Sequence, residues 1–235
     1  VVSADGVQWA ADQPAIYLGF KGICALQIDV RGPDNDLHSG IFGGTVQNPL
    51  HALAHLINSM RDPHGRICVE GFYDDVRPLN EWDRQQINAV PFDEQTYQTR
   101  LGVTTLFGEP GFTTLERAWA RPTLEVVGIW GGFQDEGIKA VMPAEAHAKV
   151  SCRLVASQTP LDITQAITRH VLRHTPPGVV ATVRSLDSHA LPYAIPTDHP
   201  GNQVAHAVLK EVYGKDPYYV RLGGTLPICE MFLDK

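Results

Sequence analysis

Two stretches of strict apolar–polar alternation constrain the fold of this chain more than any other feature. In residues 23–31, Cys24, Leu26, Ile28 and Val30 share one side while Gln27, Asp29 and Arg31 share the other. In residues 145–154, Ala146, Ala148, Val150, Cys152 and Leu154 alternate with Glu145, His147, Lys149, Ser151 and Arg153. Successive side chains of a strand point to opposite faces, so one apolar set in two predicts half-buried strands of an antiparallel sheet. Two more strands are expected at 123–130 and 179–186.

Two helices fall between these strands. Val46, Leu50, Leu53, Ile57 and Met60 recur at spacings of four and three, which predicts an amphipathic helix ending before Pro63. Thr159-Pro160-Leu161-Asp162 starts the second: a capping hydroxyl, a proline for the first turn and an acid at the positive end of the helix dipole. Ile163, Ile167 and Val171 are its core stripe, and Pro176-Pro177-Gly178 stops it. Strand, helix, strand, strand, helix, strand is the split βαβ order. The expected class is therefore α+β, a ferredoxin-like four-stranded antiparallel sheet with two helices on one face, over residues 20–187. Residues 62–122 interrupt it and are too long for a structureless loop. Glu81–Ala89 and Asp93–Phe107 read as helices of an ordered insertion. In the tail, Asp198 caps a predicted helix carrying Val204, Val208 and Val212, and Gly214 ends it. A strand at Tyr218–Leu222 then runs into Gly223-Gly224-Thr225 and another helix start. Strand, glycine turn and helix belong to an α/β domain, so 188–235 read as part of a second domain that is only partly represented.

Composition removes several functional classes. Nineteen Lys and Arg against 26 Asp and Glu give a formal charge of −7 with no basic block, which argues against nucleic acid and anionic membrane as partners. No apolar run reaches the 18 or more residues of a membrane span. Cys24, Cys68, Cys152 and Cys229 are scattered without a CxxC, and read as buried reduced thiols of a cytoplasmic protein.

The densest chemical signal is Asp36-Leu37-His38-Ser39-Gly40-Ile41-Phe42-Gly43-Gly44, between the first strand and the first helix. Three glycines in nine positions make a tight loop that holds one imidazole and lets backbone approach a ligand. This segment resembles the lid-domain signature of the M20 metallopeptidases, in the carnosinase-like dipeptidase branch. Three further stretches agree in order: Val1-Val2-Ser3-Ala4-Asp5; residues 137–146 leading into Ser151-Cys152-Arg153-Leu154-Val155; and Arg221-Leu222-Gly223-Gly224-Thr225-Leu226-Pro227.

That resemblance implies that 1–19 and 188–235 are partial segments of a catalytic domain flanking the lid, and it implies roles. Asp5 would bind one of two divalent metal ions, zinc or manganese, which share and activate a bridging water. Arg153, with its planar fork, and Gly223, Gly224 and Thr225, at a helix entrance rich in free N–H groups, would hold the C-terminal carboxylate of a small peptide substrate. His38 would reach across a homodimer into the partner's site and polarise the scissile carbonyl, a contribution of about 2.7–4 kcal/mol for one such donor. Ala140 stands where the family usually carries a threonine, which puts the strength of that lid contact in question.

Other histidines read as structural. His51 and His55, and His170 and His174, sit four apart on helices, but neither pair has the glutamate of HExxH, so they are expected to be surface or partly packed. Trp82, Trp119 and Trp130 are expected to pack in the core or the insertion, and Trp9 to pack in the core. The family's HxD pair, Glu-Glu pair and late histidine do not occur, so the chain alone is expected to be inactive. An N-acyl-amino-acid deacylase or acyl-diamino-acid hydrolase of the same superfamily is an alternative. A non-catalytic ferredoxin-like dimerisation module is another.

Overall fold

The computed structural model describes residues 8–229. In chain order the elements are β1 (Ala15–Phe20), β2 (Gly22–Arg31), β3 (Leu37–His38), α1 (Ser39–Phe42), α2 (Pro49–Ser59), α3 (Glu81–Asn88), α4 (Glu94–Leu101), α5 (Thr114–Ala120), β4 (Thr123–Gly131), β5 (Val141–Met142), β6 (Glu145–Leu154), α6 (Pro160–His174), β7 (Val180–Ala190), β8 (Tyr193–Ala194), α7 (Pro200–Tyr213) and β9 (Tyr218–Leu222).

The main sheet has the order β4-β6-β2-β7, with every pairing antiparallel. The two alternating stretches are its central pair, in continuous register from Gly22↔Leu154 to Arg31↔Glu145. Their apolar sets meet α2 and α6 on one face. Leu26, Ile28, Leu53, Leu56, Phe72, Val150, Leu154 and Ile167 are buried there in one cluster. Asn48 caps α2 by accepting from the Leu50 N–H, with Pro49 in the first turn. The helix therefore starts three residues later than the spacing predicts, and Val46 is left exposed. Thr159 caps α6 as expected, accepting from the Asp162 N–H. β7 extends to Ala190, beyond the expected 186, through a register shift opposite Cys24/Leu26.

β1, β8 and β9 form a second sheet, in which β1 and β9 are parallel. The chain passes between the sheets at Lys21 and again at Leu191-Pro192. These passages touch at Gly22, where a Cβ would lie 2.6 Å from the Ala190 carbonyl and 2.7 Å from the Pro192 nitrogen. Only glycine fits without displacing backbone.

The insertion departs most from expectation. α4 stops at Leu101 because Gly102 takes a left-handed conformation (φ 69°), instead of running to Phe107. A further helix, α5, carries a Thr113/Glu116 capping box. α3 and α5 pack on β9 of the second sheet: Ile87, Leu115, Ala120 and Val220 form a separate apolar cluster with Trp9, Trp119 and Tyr218. Trp9 and Trp119 meet edge to face, with centroids 6.0 Å apart, so both pack as anticipated, whereas Trp82 on α3 is exposed, contrary to expectation. In α7 the N-cap is His199 rather than Asp198, its side chain accepting from the Gly201 N–H. Cys24, Cys152 and Cys229 are buried, but Cys68 is exposed, contrary to expectation. No helix among the described residues is long and apolar enough to cross a membrane.

Candidate substrate and dimer-contact residues

His38 is held by short-range geometry. β3 pairs with β5, setting His38 opposite Val141, and the Ser39 N–H donates to the Ala140 carbonyl at 2.9 Å. Asp36 accepts from the Ala144 N–H at 2.9 Å and ties the other end of the two segments. A Cβ on Gly43 would lie 2.4 Å from the Ser39 carbonyl, which explains a glycine there. The His38 ring caps α1, its Nδ1 accepting from the Gly40 N–H at 3.1 Å. An accepting Nδ1 leaves Nε2 as the proton-bearing nitrogen of the neutral ring. His38 is exposed, and Ile41, Phe42 and Ile138 nearby in the same two segments are exposed apolar residues.

Arg153 lies at the far end of β6. It donates from Nη1 to the Thr225 hydroxyl at 2.7 Å and has no carboxylate partner among the described residues. Gly223 and Gly224 adjoin Thr225 after β9. Gly223 sits against the backbone of α5, where a Cβ would lie 2.9 Å from the Ala118 carbonyl. Arg221, on β9, donates to Asp83 of α3 at 2.7 Å; Asp83 also pairs with Arg77 at 3.0 Å and is 1% exposed. The Lys21 N–H donates to both the Leu222 and Gly224 carbonyls, at 3.2 and 3.0 Å, and its ammonium donates to the Arg117 carbonyl at 3.1 Å. Lys21 is 3% exposed, and burial next to Arg153 and Arg121 brings its pKa down to about 7.

The fold thus gathers Arg153, Gly223, Gly224 and Thr225, and separates them from His38. His38 pairs beside the start of β6 and Arg153 stands at its end, a separation of roughly 25 Å at ~3.3 Å per residue. Asp5 lies outside the described residues. No group of three or more His, Cys, Asp or Glu among the described residues could hold a metal ion. His51 and His55 are exposed on α2. His170 is 6% exposed, more buried than expected, and bonds the Ser59 hydroxyl at 2.9 Å while stacking on His174. Sequence reasoning passed over Lys21 and Asp83. The one available signal was a lysine breaking an otherwise apolar run, Leu18-Gly19-Phe20-Lys21-Gly22-Ile23.

Comparison with known proteins defines the class. The M20 peptidase dimerisation domain matches residues 18–179, and the chain belongs to this family. It is 30% identical over 237 residues to human Beta-Ala-His dipeptidase, covering 99% of this chain and 46% of that protein. It is 29% identical to the Cys-Gly metallodipeptidase dug1 of Schizosaccharomyces pombe, covering 94% and 47%. Among solved structures, the di-peptidase Dug1p of Saccharomyces cerevisiae matches with a TM-score of 0.83 at 27% identity, covering 98% of this chain and 48% of that one. Human carnosine dipeptidase 1 matches at 0.81 and 29%, covering 97% and 49%. The chain spans about half the length of the curated relatives it matches.

Proposed function

We propose that the protein of which these residues form the lid and part of the catalytic domain hydrolyses the amide bond of dipeptides bearing a free C-terminal carboxylate. Relatives named as dipeptidases support the reaction class. The separation of His38 from Arg153 along β6 carries the finer reading. A substrate clamped by Arg153 and the 223–225 loop lies far out of reach of the same chain's His38. That histidine therefore serves the site of a second copy, and the exposed Ile41, Phe42 and Ile138 beside it favour a covered surface. In this reading Arg153 grips the carboxylate, free N–H groups near Thr225 complete its cradle, and the Nε2–H of His38 donates to the oxygen on which negative charge develops. In the longer protein two divalent ions, zinc or manganese, would supply an activated water; the described residues hold no ligand set for them.

The lid is assigned to residues 20–187 with its insertion at 62–122, and 1–19 and 188–235 to the catalytic domain. The order β4-β6-β2-β7 with α2 and α6 on one face supports the ferredoxin-like layout. Four thiols without a disulfide among the described residues suit a cytoplasmic setting.

Complementation in the full-length protein tests this. His38→Ala should lower kcat about 100-fold or more, and Arg153→Ala should chiefly raise KM for free-carboxylate dipeptides. Mixing the two variants should recover about a quarter of wild-type activity, since half the dimers are mixed and one site in each is intact. No recovery in verified mixed dimers would place His38 in its own chain's site and end the cross-dimer reading.

A further inference from the structure

Among the described residues, every buried or half-buried arginine around the junction has a carboxylate or carbonyl for company except Arg153, and the lysine behind it has no carboxylate partner either. Lys21 links β1 to β2 and is near enough to Arg153 for the two like charges to oppose each other; Arg153 is opposite Ile23, two residues further along the chain. Arg77 and Arg221, which line the same small cavity as Lys21, share the single carboxylate of Asp83. Arg121 is balanced by a two-pronged pair with Glu109, at 2.7 and 2.8 Å. Tyr193 is the remaining titratable group on that cavity wall. Lys21 has only the Arg117 carbonyl, and no carboxylate among the described residues.

The backbone of the same residue is a fixture of the candidate carboxylate loop. One N–H bridges the Leu222 and Gly224 carbonyls, so Lys21 sets the path of the segment that carries Gly223 and Gly224. Its ammonium, through the Arg117 carbonyl, ties that path to the end of α5, against which Gly223 is packed.

We propose that Lys21 is a positioning and charge-balancing residue of the carboxylate site: it holds the glycine loop, and its unmatched ammonium is compensated when a substrate carboxylate docks on Arg153 and Thr225. This rests on the assignment of that loop to the substrate carboxylate. A buried ammonium without a counter-ion is costly, and an anion arriving on neighbouring Arg153 relieves the cost. Binding is therefore linked to proton uptake, because burial beside Arg153 and Arg121 leaves Lys21 titrating near neutrality in the free site, and an anion restores its charge. The sign follows. Carboxylate binding is tightest below the pKa of the free site and weakens as pH rises through about 7.

The test uses full-length, metal-loaded protein and the variants Lys21→Met and Lys21→Arg. For a free-carboxylate dipeptide, Lys21→Met should raise KM by about tenfold or more while kcat changes far less, and should flatten the rise of KM between pH 6 and 8. Lys21→Arg, permanently charged, should keep KM low and also abolish its pH dependence. A C-terminal amide of the same dipeptide should show no such dependence in any of the three proteins. N-acetylglycine binding, followed by calorimetry in two buffers of different ionisation heat, reads the linkage without turnover. Wild type should take up a fraction of a proton near pH 7.5, and Lys21→Met none. Equal proton uptake by wild type and a folded Lys21→Met would overturn the inference. Lys21-dependent uptake in a protein that hydrolyses no dipeptide would instead sink the assigned reaction and leave Lys21's role standing.

Discussion

The helix-covered face of the main sheet and the junction beside the second sheet are held together by opposite means. On the covered face Leu26, Ile28, Leu53, Leu56, Phe72 and Ile167 are fully buried, and the contacts among them are apolar. At the junction the apolar cluster is small, and ions do much of the joining: Asp83 with Arg77 and Arg221, Glu116 with Arg84, Glu109 with Arg121. Apolar burial is strong and non-directional, suited to making a domain exist. A buried carboxylate between two guanidinium forks accepts one alignment and penalises others. The first region specifies a body; the second specifies how a neighbouring piece sits against it.

Four measurements would break or sharpen that contrast. Phe72→Ala removes the largest fully buried side chain of the covered face and should cost about 3–5 kcal/mol in urea unfolding, enough to threaten the fold. Asp83→Ala strands two arginines beside a 1% exposed position and should cost about 3 kcal/mol. Its signature should be local: protease sensitivity in 77–122 while the main sheet stays protected from hydrogen exchange. Loss of both together would show that the two regions are one cooperative unit. Gly22→Ala forces a methyl into backbone contacts of 2.6 and 2.7 Å and should cost about 1–3 kcal/mol.

The smallest expected effect is a pH dependence within the covered region. Burial, with His174 and Arg173 adding to it, depresses the pKa of His170 from 6.5 to about 4. The folded state then binds fewer protons than the unfolded state between those values. Stability from this group is fully present above pH 6.5 and falls as pH drops towards 4. His170→Gln should unfold with a shallower acid dependence; an unchanged pH profile would remove His170 as its source.

The same contrast explains what could be read in advance. Alternation in 23–31 and 145–154 disclosed the central strand pair because a period of two leaves no other apolar face, and Thr159 marked the start of α6 by local chemistry alone. The loop around His38 was legible because its glycines and its ring are tied within a few residues, as the Gly43 contact with Ser39 and the Gly40 bond to Nδ1 demonstrate. The junction was not. Asp83 and Arg221 are 138 residues apart, and Lys21 meets Arg117 across 96, so no local pattern announces either contact. α5 was missed for the related reason that its apolar residues face β9, a partner that periodicity cannot name. The identity of Ala140 was plain in sequence, yet its backbone carbonyl, which accepts from Ser39, proved to be the part that shapes the His38 loop.

Gly22 carries one more consequence. Two segments of chain leave the main sheet for the second one side by side, touching at a residue with no side chain to keep them apart. Such a crossing works as a rivet: it fixes where the two sheets meet through backbone alone, and any side chain there would have to pry both passages apart.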